Sequence, residues 1–179
     1  MTTRLIALLS GVAVIVLILV YSSLFEVTQV EEGLVLQFGR PIRVVEQPGL
    51  HTKLPWQDVV LYDRRILDFD PPAEEVIAAD QKRLVVDSYT RYRITDPLKF
   101  YQAVGTEAVA RARLGAIANG ALRRIIGGIE LQAVISQRRA QIMQQIRNEV
   151  NAEMKGFGLD VIDVRLKRAD LPEENSEAV

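Results

Sequence analysis

A protein that makes or breaks bonds needs a nucleophile beside a base, or a set of metal ligands, and few of the 179 residues here can serve. The one histidine, His51, lies in PGLHTKLP between two prolines, and there is no cysteine anywhere. With no thiol or second imidazole to share a metal, His51 is expected to make a hydrogen bond within a loop. Disulfides, a thiol nucleophile and zinc-thiolate chemistry are excluded outright. Ser88 falls in the middle of an alternating strand pattern and Ser136 at a helix start, where capping is the ordinary role; neither stands in a G-x-S-x-G context. Asp68, Asp70, Glu74 and Glu75 form an acidic cluster in DFDPPAEE, but it lacks the glycine and alternating ligands of a calcium loop and reads as a solvated turn. Neither a catalytic site nor a metal or cofactor is therefore expected.

Binding is the remaining chemistry. In LVVDSYTRYRITDP, residues 84–97, Leu84, Val86, Ser88, Thr90, Tyr92 and Ile94 fall on one side of a strand and can be buried. Val85, Asp87, Tyr89, Arg91 and Arg93 fall on the other, where Asp87 could pair with the arginines along the strand. That polar face meets water, a nucleic acid, a substrate or another copy of the chain. A formal net charge of -1 argues against nucleic acid, which requires a concentrated basic surface.

The elements that position these residues begin with an uncharged run, Leu5 to Phe25, 21 residues of which fourteen are Leu, Ile, Val or Phe. At about 1.5 Å per residue this crosses a hydrocarbon layer roughly 30 Å thick, so residues 1–25 are expected to be a membrane anchor. The alternative is a cleaved signal peptide, but the apolar run is long for one and lacks an A-x-A ending. Arg4 precedes the run, whereas Glu26, Glu31 and Glu32 follow it before Arg40, which places the N-terminus in the cytoplasm and the body across the membrane. In a Gram-negative bacterium that is the inner membrane, with the body in the periplasm.

Beyond the anchor, FEVTQV (25–30) and GLVLQFG (33–39) read as strands around a turn at EEG, and DVVLYDRRILDFD (58–70) as a further strand. EEVIAAD then leads through DQKR into the 84–94 strand as a hairpin, which gives a small, twisted antiparallel sheet in an α+β fold. Asp96-Pro97 is a helix start, with Gly105 near its end. Ala110, Leu114, Ile117, Ala121 and Ile125 mark a second helix ended by Gly127-Gly128. Ile142, Ile146, Val150 and Met154 mark a third, with Arg147 near Glu149 and Glu153 and Gly156 as its C-cap. LDVIDVRLKRADLP returns to strand, with Leu159, Val161, Asp163 and Arg165 opposed to Ile162, Val164 and Leu166. LPEENSEAV starts another helix, since Pro172 suits a first turn and Glu173, Glu174 and Glu177 suit its positive end.

The order of anchor, EEGLVLQFGRP, EQPGLHTKLPW, VVLYDRR, VDSYTRYRITDP and GFGLDVIDVRLKRADLPEENSEAV resembles the band 7 or SPFH family of stomatins, prohibitins and flotillins. The resemblance covers essentially the whole chain. It implies an anchor at 1–25, a membrane-proximal, strand-rich SPFH subdomain at 26–95, a helix-rich subdomain with a closing strand at 96–171, and the start of a C-terminal helix at 172–179. VDSY and the DVR-K-ADLP-E-SEA ending are most similar to the branch that partners an HflK-like subunit and modulates the FtsH protease. It implies no enzyme and no cofactor, but a scaffold in a hetero-oligomeric ring or cage, with HflK-like subunits, an FtsH-like protease and membrane lipid as partners. A stomatin- or flotillin-like organiser of membrane microdomains, without a protease, is the alternative. Leu50, Lys53, Leu54 and Trp56 in GLHTKLPW are the candidate membrane-interface residues, because a tryptophan ring with one polar edge favours that depth and a lysine reaches phosphates. The other place for Trp56 is over the small core. In a ring, Asp87, Tyr89, Arg91 and Arg93 become candidate subunit-contact residues.

Overall fold

The computed structural model describes residues 2–130, 132 and 138–170, with side chains at all of these except 2–8, 10 and 168–170. Ser136 and the helix expected in LPEENSEAV lie outside the described residues. The chain is α+β, and it divides into two compact units, Met1–Arg64 and Arg65–Val179.

The first unit opens with α1 (Thr2–Ser22), in which every residue from Gly11 to Val20 is exposed. Among the described residues no helix is long and apolar enough to cross a membrane; the part of α1 described with side chains is shorter than the apolar run in the sequence. Antiparallel strands follow. β1 (Leu24–Val27) pairs with β4 (Gly49–Thr52), and β2 (Glu31–Gln37) lies between β3 (Arg40–Val45) and β5 (Gln57–Asp63). Central in its sheet, β2 is buried from Glu32 to Leu36, and Val27, Val35 and Val45 form a cluster with Phe25 and Val59 beside it. The turn before β2 lies at Thr28–Val30, not at EEG: Thr28 Oγ1 donates to the Glu31 carboxylate at 2.7 Å, which frees both glutamates to enter the strand. The proline-bearing β3 and the short β4 lacked a strand signature in the sequence, yet Pro41 is tolerated because β3 is an edge.

The segment 58–70 is two strands rather than one. It breaks after Asp63, at the join of the two units, and resumes as β6 (Leu67–Phe69). The strands from Leu67 to Ile94 fall in the same unit as the helices.

In the second unit β8 (Arg83–Ile94) is the spine. β6 and β7 (Glu74–Ile77) pair with one edge and β9 (Leu159–Asp170) with the other, all antiparallel. The inner face of β8 is buried at each of Leu84, Val86, Ser88, Thr90, Tyr92 and Ile94, as the alternation requires. The β9 alternation does not run straight through. Asp163 stands opposite Arg91 and Val161 opposite Tyr92, so Ile162 is an extra, bulged residue, and Val164 and Leu166 join Leu159 and Val161 on the buried side.

Three α-helices are described in this unit. In α2 (Pro97–Ala103), Asp96 Oδ1 accepts from the Lys99 N–H at 3.0 Å. In α3 (Glu107–Gly127) Thr106 is the cap, and Ala110, Leu114, Ala118, Ala121, Leu122 and Ile125 are buried, so Ala118 takes the core position assigned to half-buried Ile117. α4 (Arg139–Met154) buries Ile142, Ile146, Val150 and Met154 as expected and packs on α3 and β9. Its end differs from the sequence reading. A 3-10 turn at Lys155–Phe157 follows, and Gly158, not Gly156, takes the left-handed conformation at φ +73°. A Cβ at Gly158 would stand 2.4 Å from the Asp96 carbonyl oxygen, so only glycine fits.

Candidate functional site

The outer face of β8 carries the predicted subunit-contact residues, and its neighbours come from both flanking strands. Arg91 Nε lies 3.4 Å from Asp68 on β6, and Arg93 Nη2 3.7 Å from Asp160 on β9. Neither arginine pairs with Asp87. The reason is distance: residues four apart on a strand are separated by about 13 Å, whereas cross-strand neighbours stand about 5 Å apart. Tyr89 faces Arg165 in the register, and the Lys167 ammonium lies 6.0 Å from its ring centroid. Lys167 also bonds Asp70 at 3.0 Å, and that hydrogen bond holds its pKa above the ordinary lysine value. The face is an interleaved lattice of opposite charges around one tyrosine. Such a surface can dock another polar surface.

The acidic cluster of DFDPPAEE is dispersed rather than pooled. Asp68 and Asp70 reach Arg91 and Lys167, Glu74 pairs with Arg123 on α3, and Glu75 lies 3.4 Å from Arg83. Each carboxylate meets a different cation, so the turn ties β6 and β7 to their neighbours instead of gathering oxygens for a metal. Arg147 likewise departs from expectation: it donates to the Val161 carbonyl at 3.0 Å, and Arg124 takes Glu149 and Glu153. Ser88 is buried within β8. Tyr92 is buried too, with its hydroxyl donating to Glu107 at 3.4 Å; burial pushes its phenol pKa up, and the Arg111 hydrogen bond opposes this.

The predicted membrane-interface residues sit in the first unit. GLHT is strand β4 rather than loop, with His51 opposite Phe25 and its Nε2 donating to the Gln47 carbonyl at 2.8 Å. Leu50, Leu54 and Trp56 are 69%, 46% and 53% exposed, so Trp56 does not cover a core. Lys53 folds back, with Nζ donating to the Gln57 carbonyl at 2.8 Å, while its backbone N–H donates to Ser23 O, also at 2.8 Å, one residue past α1. From there bonds continue: Leu54 N–H to Gln57 Oε1 at 2.9 Å and Gln57 Nε2 to Gln37 Oε1 at 3.3 Å. Gln37 leads into the two-residue β2–β3 turn, where Phe38 is 80% exposed at φ +51°. Sequence reasoning missed Phe38. The signal was QFGR between two strands, an aromatic where a turn of this kind favours Asn or Gly. The hydrogen-bonded path runs from Gln37 through Gln57, Leu54 and Lys53 to Ser23 after α1, and Phe38 and Trp56 are the chain neighbours of Gln37 and Gln57.

Compared with known proteins, residues 25–179 match the SPFH domain / Band 7 family. Similar along nearly the whole chain is the "Modulator of FtsH protease HflC" of Escherichia coli, 29% identical over 217 residues, covering 94% of this chain and 65% of that protein. "Protein HflC" of Buchnera aphidicola is 32% identical over 188 residues (92% and 61%), and that of Haemophilus influenzae 33% over 172 residues (89% and 58%). The chain thus spans less than two thirds of the length of these relatives. The 217 aligned positions exceed the 179 residues here, so the Escherichia coli protein carries insertions relative to this chain.

Proposed function

The chain belongs to the SPFH domain / Band 7 family, and on that footing we propose that it is a non-catalytic, membrane-anchored scaffold subunit. It assembles with an HflK-like partner into a ring or cage and thereby modulates an FtsH-type membrane protease. One observation carries the reading: the similarity to a modulator of FtsH protease runs through 94% of this chain instead of being confined to one motif. The side-chain geometry is compatible with scaffolding, because several charged groups outside the core form ion pairs between elements.

Anchoring is supported by α1, whose exposed Gly11–Val20 stretch has no polar face and so is unsuited to water. The patch of Phe38, Leu54 and Trp56, joined to the residue after α1, extends that apolar surface to interface depth. Leu50 adds to it, and Lys53 contributes through its backbone N–H. The N-terminus is cytoplasmic and the body periplasmic, in a bacterial inner membrane. Subunit contact is assigned to the face of Asp87, Tyr89, Arg91 and Arg93.

Purification of a tagged full-length protein from detergent-solubilised membranes tests the assignment. An HflK-like subunit and an FtsH-like protease should co-purify in one large particle. A particle that holds only copies of this chain with lipid would replace the protease-modulating role by that of a membrane-organising scaffold.

A further inference from the structure

Between α4 and β9 runs a trough of about 740 Å3 with no role in the reading above. Half-buried Ile162 and the edge of Met143 give its apolar lining, above the buried Val164 and Leu166. Arg139 and Arg147 stand on its helical wall and Arg165 on its strand wall. Both helical arginines are fixed in place. Arg139 Nη2 donates to the Leu166 carbonyl at 2.6 Å, and Arg147 donates through Nε to the Val161 carbonyl at 3.0 Å and through Nη1 to Asn148 Oδ1 at 3.3 Å, which leaves further N–H donors on each guanidinium. Among the described residues neither meets a carboxylate. The trough's one acid, Asp163, is held by Arg165 at 2.6 Å.

An apolar floor below an excess of fixed guanidinium groups selects a ligand with carboxylates and an apolar residue between them. Spacing narrows the class. Arg139 and Arg147 are eight residues apart on one helix, about 12 Å. An extended chain covers that distance in four residues at roughly 3.3 Å each, and residues i, i+2 and i+4 share one side. The geometry points to an extended polypeptide segment from another protein, patterned acidic-x-apolar-x-acidic, whose carboxylates meet Arg139 and Arg147 while its central side chain rests on Met143 and Ile162. A helical segment would need eight residues to span the same pair. A small inorganic anion would leave the floor uncovered.

The test is fluorescence anisotropy of a labelled Ser-Glu-Ser-Leu-Ser-Glu-Ser peptide titrated with the full chain in detergent micelles. Binding should weaken at least tenfold when lysines replace the glutamates or serine replaces the leucine. Ala140 is exposed on the trough wall and carries none of the strand bonds, so Ala140→Glu should also weaken binding at least tenfold while the melting temperature stays unchanged. Should that variant melt early, Arg165→Gln, at an exposed site bonded to Asp163, should weaken binding at least threefold. No binding, equal binding of the lysine peptide, or full affinity in both variants overturns the assignment. Peptide-driven dissociation of a dimer seen by sedimentation would overturn it as well, because the occupant would then be a second copy of this chain.

Discussion

Arg91 on β8 and Asp68 on β6 stand directly opposite in the strand register, with Nε 3.4 Å from Oδ1. The pair is exposed on both sides, as is Arg93 in its pair with Asp160, so each contributes only about 0–1 kcal/mol. Reversing both arginines sets like charges across β8 without touching the buried face. The double substitution Arg91→Glu with Arg93→Glu should therefore fold, with a loss of roughly 1–2 kcal/mol. In full-length, membrane-bound protein it should reduce assembly, read by crosslinking and native gel size. Normal particles would move the subunit contact to the α3 surface around Arg111 to Arg124.

Gly158 lies against Asp96, where an added Cβ would stand 2.4 Å from the Asp96 carbonyl oxygen. Gly158→Ala must place a Cβ against the Asp96 carbonyl and hold an L-residue at φ +73°, for a cost of roughly 2–4 kcal/mol. Gly156→Ala meets nothing within 4 Å and should stay within about 0.5 kcal/mol. Chemical denaturation of the two variants compares them directly, and equal losses would refute the assignment of the cap to Gly158.

Asp96 also carries a pH dependence. The hydrogen bond from the Lys99 backbone N–H holds the carboxyl below the usual aspartate value; burial opposes it, and the Lys99 ammonium adds a smaller lowering effect. A depressed folded pKa means stabilisation that is complete above the unfolded value of about 3.9 and fades as pH falls through the folded one. Asp96→Ala should cost about 1 kcal/mol at neutral pH, with the gap to the unsubstituted protein closing in acid. Asp96→Asn keeps a cap that does not titrate, so its gap should change sign or narrow on the same descent. A gap independent of pH for Asp96→Ala would show that the carboxylate charge contributes nothing.

What the sequence disclosed was periodicity, and what it hid was anything decided by a partner strand. The inner face of β8 was legible because six alternate residues are buried without interruption. The same alternation misled in β9, because the bulge at Ile162 exists only in pairing with Arg91 and Tyr92, and nothing local announces it. Asp96-Pro97 was legible since cap and helix share four residues, whereas Gly156 and Gly158 are told apart only by the approach of Asp96, some sixty residues earlier. Of the candidate site residues, Trp56 and the β8 face were proposed from residue type. Phe38 was not, because its exposure follows from a turn whose second strand, with Pro41, had no strand signature.

The Phe38, Leu54 and Trp56 patch gives a spectroscopic prediction. Trp56 fluorescence in protein reconstituted in vesicles should be quenched by lipids labelled near the headgroup, and less by labels deep in the acyl chains. Phe38→Asp should weaken that quenching while costing less than about 1 kcal/mol, since the ring is 80% exposed. Quenching by aqueous iodide alone, unchanged by Phe38→Asp, would put the patch in water.

Topology is the most direct consequence of α1 and its flanks. Arg4 precedes the apolar run and the first charges after it are acidic, so the positive-inside rule predicts a cytoplasmic N-terminus. The bias is small, but the body that follows is connected through β1 immediately after the helix, with Ser23 bonded to Lys53, which leaves no linker to let it cross back. Protease added outside spheroplasts should therefore digest the body while an N-terminal tag stays protected. Digestion only after the membrane is ruptured would reverse the orientation. Recovery of a soluble product lacking the first 22 residues would make the run a cleaved signal and remove the anchor altogether.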